Sequence, residues 1–235
     1  GEDESRFDEA AYLRAVDAIR AVVPLLGDTD PRVVAAGCWA VSEMARLDPR
    51  PLAGLARLLE PLLRPHLPAP VLVAASDAFS LLAERRDRRG FVRLQRLIFH
   101  PDPAVRAAAA RGLGRFGDRL AGAPLERLLR DDDPTVRIDA AIGLVRLGLH
   151  RRRRPGRPTP YPTCDTPDPL VRARCHLYRA HRRGALDAAD RRALKRALHA
   201  TPNTPARAAL IPLLQELHPR GARTVLEAAR QAPCY

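Results

Sequence analysis

Arginine is the residue type whose distribution most clearly indicates chemistry in this chain. Residues 151–235 hold 18 Arg or Lys against 6 Asp or Glu, a balance of +12, whereas residues 1–150 have a balance of +1. Guanidinium groups bind phosphates in a bidentate manner and stack on bases or aromatic rings. We therefore expect an anionic partner at the C-terminal third, which would be a nucleic acid, an acidic protein surface or a membrane headgroup layer. The arginines expected to contact it are Arg151, Arg152, Arg153, Arg154, Arg157, Arg179, Arg182 and Arg183.

A charge run is also often no more than a solvated loop, and that alternative stays open here. No catalytic constellation accompanies the arginines. The chain has neither a Gly-rich phosphate loop nor a G-x-S-x-G motif. We therefore expect a protein that is not an enzyme and that holds no cofactor and no metal.

The cysteines show no Cys-x-x-Cys pairing; they are Cys38, Cys164, Cys175 and Cys234. Cys38 and Cys175 fall within predicted helices, where a free thiol is usually a small buried apolar group. A Cys164–Cys175 disulfide is an alternative, and so is a metal site that adds His176 and His181. Because the spacing matches no zinc pattern, the sequence favours unpaired thiols.

A recurring sequence motif predicts the helices that carry these side chains. Asp-Pro-x-Val-Arg begins at Asp102, Asp133 and Asp168, and Asp30 opens a close variant. An aspartate accepts hydrogen bonds from the first N–H groups of a helix, and proline suits the first helical position. In the copy at 102–117, apolar residues three or four apart form one stripe, and Gly117 is a suitable stop.

The motif recurs at a nearly fixed interval along the sequence. Its equivalent points, 31 to 38 residues apart, are Pro31, Ala69, Pro103, Pro134, Pro169 and Pro205. A period of this length is typical of stacked units that each contain two helices. The helices are expected at 7–26, 31–47, 52–63, 71–84, 90–99, 103–116, 124–130, 134–147, 169–182, 187–200, 205–217 and 222–231.

One first helix is missing from this pattern. Prolines at nearly alternate positions in 149–167 exclude a helix and favour an extended backbone. The chain therefore divides into repeats at 1–148, a basic proline-rich loop at 149–167, and further repeats at 168–235.

The motif Asp-Pro-x-Val-Arg-x-x-Ala-Ala-x-x-Leu, at this period, resembles the HEAT-like repeats first named from phycobilin lyase subunits. The resemblance implies an all-α, right-handed solenoid of about six two-helix repeats. It also implies that the second helix of each pair lines the concave face. Arg106, Arg137 and Arg172, four residues after their aspartates, are expected to form a structural ladder between successive turns, as in similar repeats. The resemblance names no chemistry, because such repeats serve in scaffolds, chromophore lyases, DNA glycosylases and hydroxylases.

Two rows of second-helix residues point away from the apolar stripe and are candidates for the concave lining. The rows are Trp39, Asp77, Arg111, Ile142 and Leu177, and, four residues on, Glu43, Leu81, Arg115, Arg146 and His181. The residues expected to bind a partner are Trp39, Glu43, Asp77, Arg111, Arg115, Arg146 and His181. Trp39 has two interpretations, since it either packs over the neighbouring repeat or recognises a partner.

The resulting hypothesis is a non-enzymatic scaffold that binds a protein through its concave face and its basic loop. The alternative is nucleic-acid binding. Glycosylase activity is not expected, because the similar HEAT-like glycosylases use more than one groove tryptophan and this chain has one. Nothing in the residues supports a bilin site. We expect a cytoplasmic monomer without a membrane span, since no apolar run approaches about 20 residues.

Overall fold

The chain is described by a computed structural model that covers residues 9–83, 87–148, 164, 166–200 and 213–214. All regular structure in these ranges is helical, which confirms the all-α prediction. The α-helices are α1 Glu9–Val22, α2 Pro31–Leu47, α3 Ala56–Leu59, α4 Ala69–Leu82, α5 Arg88–Leu97, α6 Pro103–Phe116, α7 Gly122–Leu128, α8 Pro134–Arg146, α9 Pro169–Arg183 and α10 Ala188–Ala200.

The helices form two layers that run along the stack. Helices α2, α4, α6 and α8 pack each upon the next, and α9 follows α8; we call these the second helices. Helices α5 and α7 are first helices, and they pack on α6 and α8 respectively. This translational stacking confirms the predicted solenoid.

Aspartate caps set where the second helices begin. The carboxylates of Asp30, Asp102, Asp133 and Asp168 each accept a hydrogen bond at 2.8 Å from the N–H two residues ahead. Gly117, with φ 75°, ends α6 in the left-handed conformation. Helices α2 and α6 consequently have the bounds that the sequence predicts.

Prolines interrupt two of the predicted first helices. Helix α1 ends at Val22, and a 3-10 helix at Val23–Gly27 follows. The predicted helix at 52–63 is divided into the 3-10 helix Arg50–Leu55, α3, and the 3-10 helix Glu60–Leu62. Because proline lacks an N–H and clashes with the preceding turn, Pro61 ends the α-helix, and α3 stops at Leu59. The helices expected at 205–217 and 222–231 lie outside the described residues, apart from helical positions 213–214.

Small residues let the second helices approach closely. An ideal Cβ placed on Gly114 of α6 would lie 2.5 Å from the Cα of Gly143 of α8, so only glycine fits at this crossing. The core lies between the two layers; its fully buried side chains include Phe79, Leu72, Leu94, Leu113, Leu125 and Ile138. The packing brings polar side chains of neighbouring second helices together across the stack.

Candidate binding surface

The second helices present a surface that is open at α2 and closed at α8. Trp39 of α2 is 60% exposed. Asp77 and Arg111, at the equivalent positions of α4 and α6, have side chains that are 20% and 19% exposed. Ile142 and Leu177, at the same positions of α8 and α9, are buried. We call this row the second-helix face. The expectation that the whole row lines an open surface is wrong for Ile142 and Leu177, because the stack covers them.

Trp39 is the large apolar residue of the open end. With most of its surface in solvent, it is not accounted for by packing over the neighbouring repeat. One turn further along α2, Glu43 accepts a hydrogen bond from Arg46. An aromatic ring therefore stands beside an ion pair whose members are themselves partly exposed.

Five charged residues meet in the middle of the face, and we call them the arginine–aspartate cluster. Nη2 of Arg111 donates to Oδ2 of Asp77 at 2.9 Å, and Nη1 of Arg115 donates to Oδ1 of Asp77 at 3.0 Å. Nη1 of Arg111 also donates to Oδ2 of Asp139 at 2.8 Å, and Arg174 donates to the other oxygen of Asp139. The cluster thus links α4, α6, α8 and α9.

The cluster holds three guanidinium groups against two carboxylates. Burial raises the pKa of the Asp77 carboxyl, but the adjacent Arg111 and Arg115 outweigh it and hold that pKa below its usual range. Burial lowers the pKa of Arg115 to about 10; Asp77 opposes this, while the nearby Arg146 and Arg111 add to it. Asp77 and Arg115 therefore stay charged at neutral pH, and guanidinium groups outnumber carboxylates in this part of the face.

Sequence reasoning identified Asp77, Arg111 and Arg115 but missed Asp139 and Arg174. Both missed residues stand five positions after the first residue of their helices, where α2, α4 and α6 carry Ala36, Ala74 and Ala108. Asp139 is fully buried. A buried carboxylate requires a charged partner. A charged residue at a position that holds alanine in the other repeats is therefore the signal that could have identified Asp139.

Further along the chain, the basic residues predicted on α9 have interactions within the protein. Arg183 pairs with Asp187 at 2.9 Å and with the buried Asp190. Asp190 also lies 2.8 Å from Nδ1 of His176. Further interactions engage Arg146, His181 and Arg182. The arginines predicted at 151–154 and 157 lie outside the described residues.

A disulfide joins Cys164 to Cys175, with their Cα atoms 5.4 Å apart. The expectation of unpaired thiols is therefore wrong for this pair, because the segment before α9 folds back onto the helix. Nη1 of Arg179 lies 3.9 Å from Sγ of Cys164. Cys38 is a free, buried thiol, as predicted, and burial raises its pKa to about 12. In the part of the chain that the structure describes, no group of His, Cys, Asp or Glu is arranged to hold a metal ion.

The expected ladder of arginines between turns is present at Arg106. Its Nη2 donates to Oδ1 of Asp131 in the next turn at 2.8 Å. The hydrogen bonds described for Arg137 go instead to the carbonyls of Asp131 and Asp132, in the turn before its own helix. Arg172 likewise donates to the carbonyl of Thr166 at 2.9 Å. Arg137 and Arg172 thus stabilise the turns that precede their helices, whereas Arg106 also reaches the next turn.

Comparison with known protein families matches part of the chain to a repeat family. Residues 73–145 fit the family model of HEAT repeats. This segment runs from within α4 to within α8, and it contains Asp77, Arg111, Arg115 and Asp139. No curated protein matches the chain significantly. Among the described helices, none combines the length and the apolar character needed to cross a membrane.

Proposed function

This chain carries HEAT repeats, and we propose that it is a non-enzymatic scaffold that binds a protein partner through the second-helix face. A repeat stack exposes a long, continuous surface, which suits the binding of a macromolecule better than the enclosure of a small substrate. The proposal rests on the residues of this face and on their charges.

Trp39 is the observation that carries the proposal. An exposed tryptophan keeps a large apolar surface in water, and tryptophan is among the residue types that contribute most to protein interfaces. At 60% exposure, its ring has most of its surface left to bury. Trp39 would therefore be the apolar anchor of the interface.

The charges beside the anchor favour an acidic partner surface. The arginine–aspartate cluster has one more positive than negative group, and Arg46 and Arg146 add to the field at its edge. Complementary charge steers association and fixes the register of a complex. The loop at 149–167, with Arg151, Arg152, Arg153, Arg154 and Arg157, would supply a second basic contact.

The test compares three immobilised proteins: the wild type, Trp39→Ala, and Leu47→Ala. Leu47 also lies on α2 and is 89% exposed, so its replacement is a matched control. A partner captured from the source-cell lysate by the wild type and by Leu47→Ala, but not by Trp39→Ala, would support the proposal. Equal capture of the partner by all three would contradict it. Both variants should keep their stability within about 0.5 kcal/mol, because each changes an exposed side chain.

Nucleic-acid binding is the second candidate, and the +12 balance of residues 151–235 favours it. Counterion release requires that such binding weaken steeply with salt. The test is binding of random DNA and RNA over a salt series, with serine at positions 151–154 as the variant. A steep slope that becomes shallower in the variant supports this candidate. Affinity that barely changes with salt removes it.

The disulfide is relevant to the cellular compartment of the protein. Disulfides persist mainly in oxidising environments. The Cys164–Cys175 bond therefore favours an oxidising compartment over the cytoplasm that the sequence led us to expect. Trapping the thiols with an alkylating reagent directly after lysis would test this, since only a reduced pair would be modified.

A further inference from the structure

The first helices carry an apolar groove that the proposed function does not use. It lies between α5 and α7, has a volume of about 480 Å³, and includes Val92, Phe99 and Pro124 in its lining. Phe99 is 64% exposed and Val92 is 42% exposed. Two large apolar side chains that project side by side into water form an apolar patch of the kind that marks interaction sites. The groove belongs to the opposite layer from the second-helix face.

The charges of the groove have one sign. Arg96 of α5 and Arg127 of α7 line it from its two walls, and none of its described lining residues is a carboxylate. Two neighbouring cations already have acidic partners, since Arg93 pairs with Glu60 and Arg88 pairs with Asp118. Within the described ranges, neither Arg96 nor Arg127 forms an ion pair.

Arg127 is already positioned by an aromatic contact. Its guanidinium carbon lies 4.9 Å from the centroid of the Phe99 ring, within the distance of a cation–π interaction. This contact holds the charge at the edge of the apolar floor without neutralising it. A ligand carboxylate could therefore pair with Arg127 while an apolar side chain packs on Phe99.

From this arrangement we propose that the α5–α7 groove is a second docking site, which binds a short segment of a partner protein with an apolar side chain flanked by acidic residues. The apolar side chain fills the floor beside Phe99 and Val92. The acidic residues on either side pair with Arg96 and Arg127. The chain would then be an adaptor that binds one partner on each layer of its stack.

The experiment selects peptides from a random phage-displayed library against the full chain. We expect the enriched sequences to contain Leu, Ile or Phe flanked by Asp or Glu. Phe99→Ala and Arg127→Glu should each weaken binding of these peptides by about tenfold or more. Leu120→Ala and Arg130→Glu are the matched controls and should leave binding unchanged, since Leu120 and Arg130 are exposed but do not line the groove.

Three results would overturn the proposal. The first is the absence of enrichment, and the second is enrichment of peptides that lack acidic residues. The third is binding that the groove variants and the control variants affect equally. Vesicles with and without phosphatidylserine form a separate arm, because an apolar floor with basic walls also suits an anionic membrane. Binding to the anionic vesicles that is lost in Phe99→Ala, without peptide binding, would assign the groove to a membrane surface and refute a peptide site. The second-helix proposal is independent of these results, since Trp39 is untouched.

Discussion

Two junctions hold the stack together by different means: one lies between α6 and α8, and the other between α8 and α9. Helices α6 and α8 approach closely through Gly114 and Gly143, and apolar contacts surround the crossing. Helix α9 has far less contact with α8, and the ion pair of Asp139 with Arg174 joins them. A disulfide then fixes α9 to the segment that precedes it.

The difference coincides with a place where the sequence predicts a break in the repeat pattern. Helix α6 packs on α5 and helix α8 packs on α7, whereas the sequence predicts a proline-rich loop at 149–167 before α9, a prediction that lies mostly outside the described residues. The contact between α8 and α9 is smaller than the contact between α6 and α8. We infer that a buried carboxylate and a covalent bond compensate for this smaller contact. A junction with less apolar packing can thus rely on charge and covalent linkage.

The largest expected effect comes from removing the carboxylate that the two junctions share. Asp139→Ala leaves Arg111 and Arg174 without their common partner in a buried site. Loss of one partner from a buried pair costs about 3–5 kcal/mol, and urea unfolding should show a decrease of that size. The control is Asp132→Ala, since Asp132 lies at an exposed position near the start of the same helix. Equal unfolding midpoints for the two variants would mean that the cluster does not hold the stack.

The next effect concerns the covalent part of the α9 junction. The disulfide closes a loop between cysteines separated by 11 positions. Loss of a cross-link over a loop of this length costs about 3 kcal/mol. Reductant should therefore lower the unfolding temperature of the wild type and leave that of a Cys164→Ser, Cys175→Ala double variant unchanged. A wild type that is insensitive to reductant would show that the bond adds no stability.

A smaller loss is expected at the apolar junction. In Gly114→Ala, the added Cβ would meet the backbone of Gly143 at 2.5 Å, so the helices must move apart. Overpacking of this kind costs about 1–3 kcal/mol. Gly27→Ala is the control, because nothing lies within 4 Å of a Cβ added there. If both variants unfold at the same urea concentration, the crossing tolerates a wider spacing.

Acid should reduce the stability that the arginine–aspartate cluster contributes to the folded chain. The pKa of Asp77 is lower in the folded chain than its ordinary value of 3.8, because Arg111 and Arg115 outweigh the opposing effect of burial. Its contribution to stability is therefore fully present above that value and is lost as the pH falls through and below it. Unfolding free energies measured between neutral pH and about pH 3 should fall less for Asp77→Asn than for the wild type. Parallel pH profiles would exclude Asp77 as a source of acid sensitivity.

The elements that local chemistry defines could be predicted from the sequence. Helices α2 and α6 have the predicted bounds because Asp30 and Asp102 cap them, and Pro31 and Pro103 occupy their first positions. The early end of α3 within the predicted helix 52–63 follows from Pro61, which the apolar spacing of that segment conceals.

The cluster could not be predicted in full, because its contacts cross between repeats. The residues that pair are 28 to 38 positions apart in the sequence. Arg111 pairs with Asp139, which does not stand at the equivalent position of α8. That offset depends on how the helices cross, which periodicity alone does not define. The sequence offers the disulfide only as an alternative to unpaired thiols, because the pairing depends on the path of the chain before α9.

The central claim is that the Asp139 ion pairs hold α9 against the rest of the stack, and backbone hydrogen exchange of Asp139→Ala tests it most directly. We predict faster exchange in α9 and α10 than in the wild type. The amides of α2, which makes no contact with Asp139, should exchange at the wild-type rate. Acceleration that is uniform along the chain, or no change in α9, would contradict the claim.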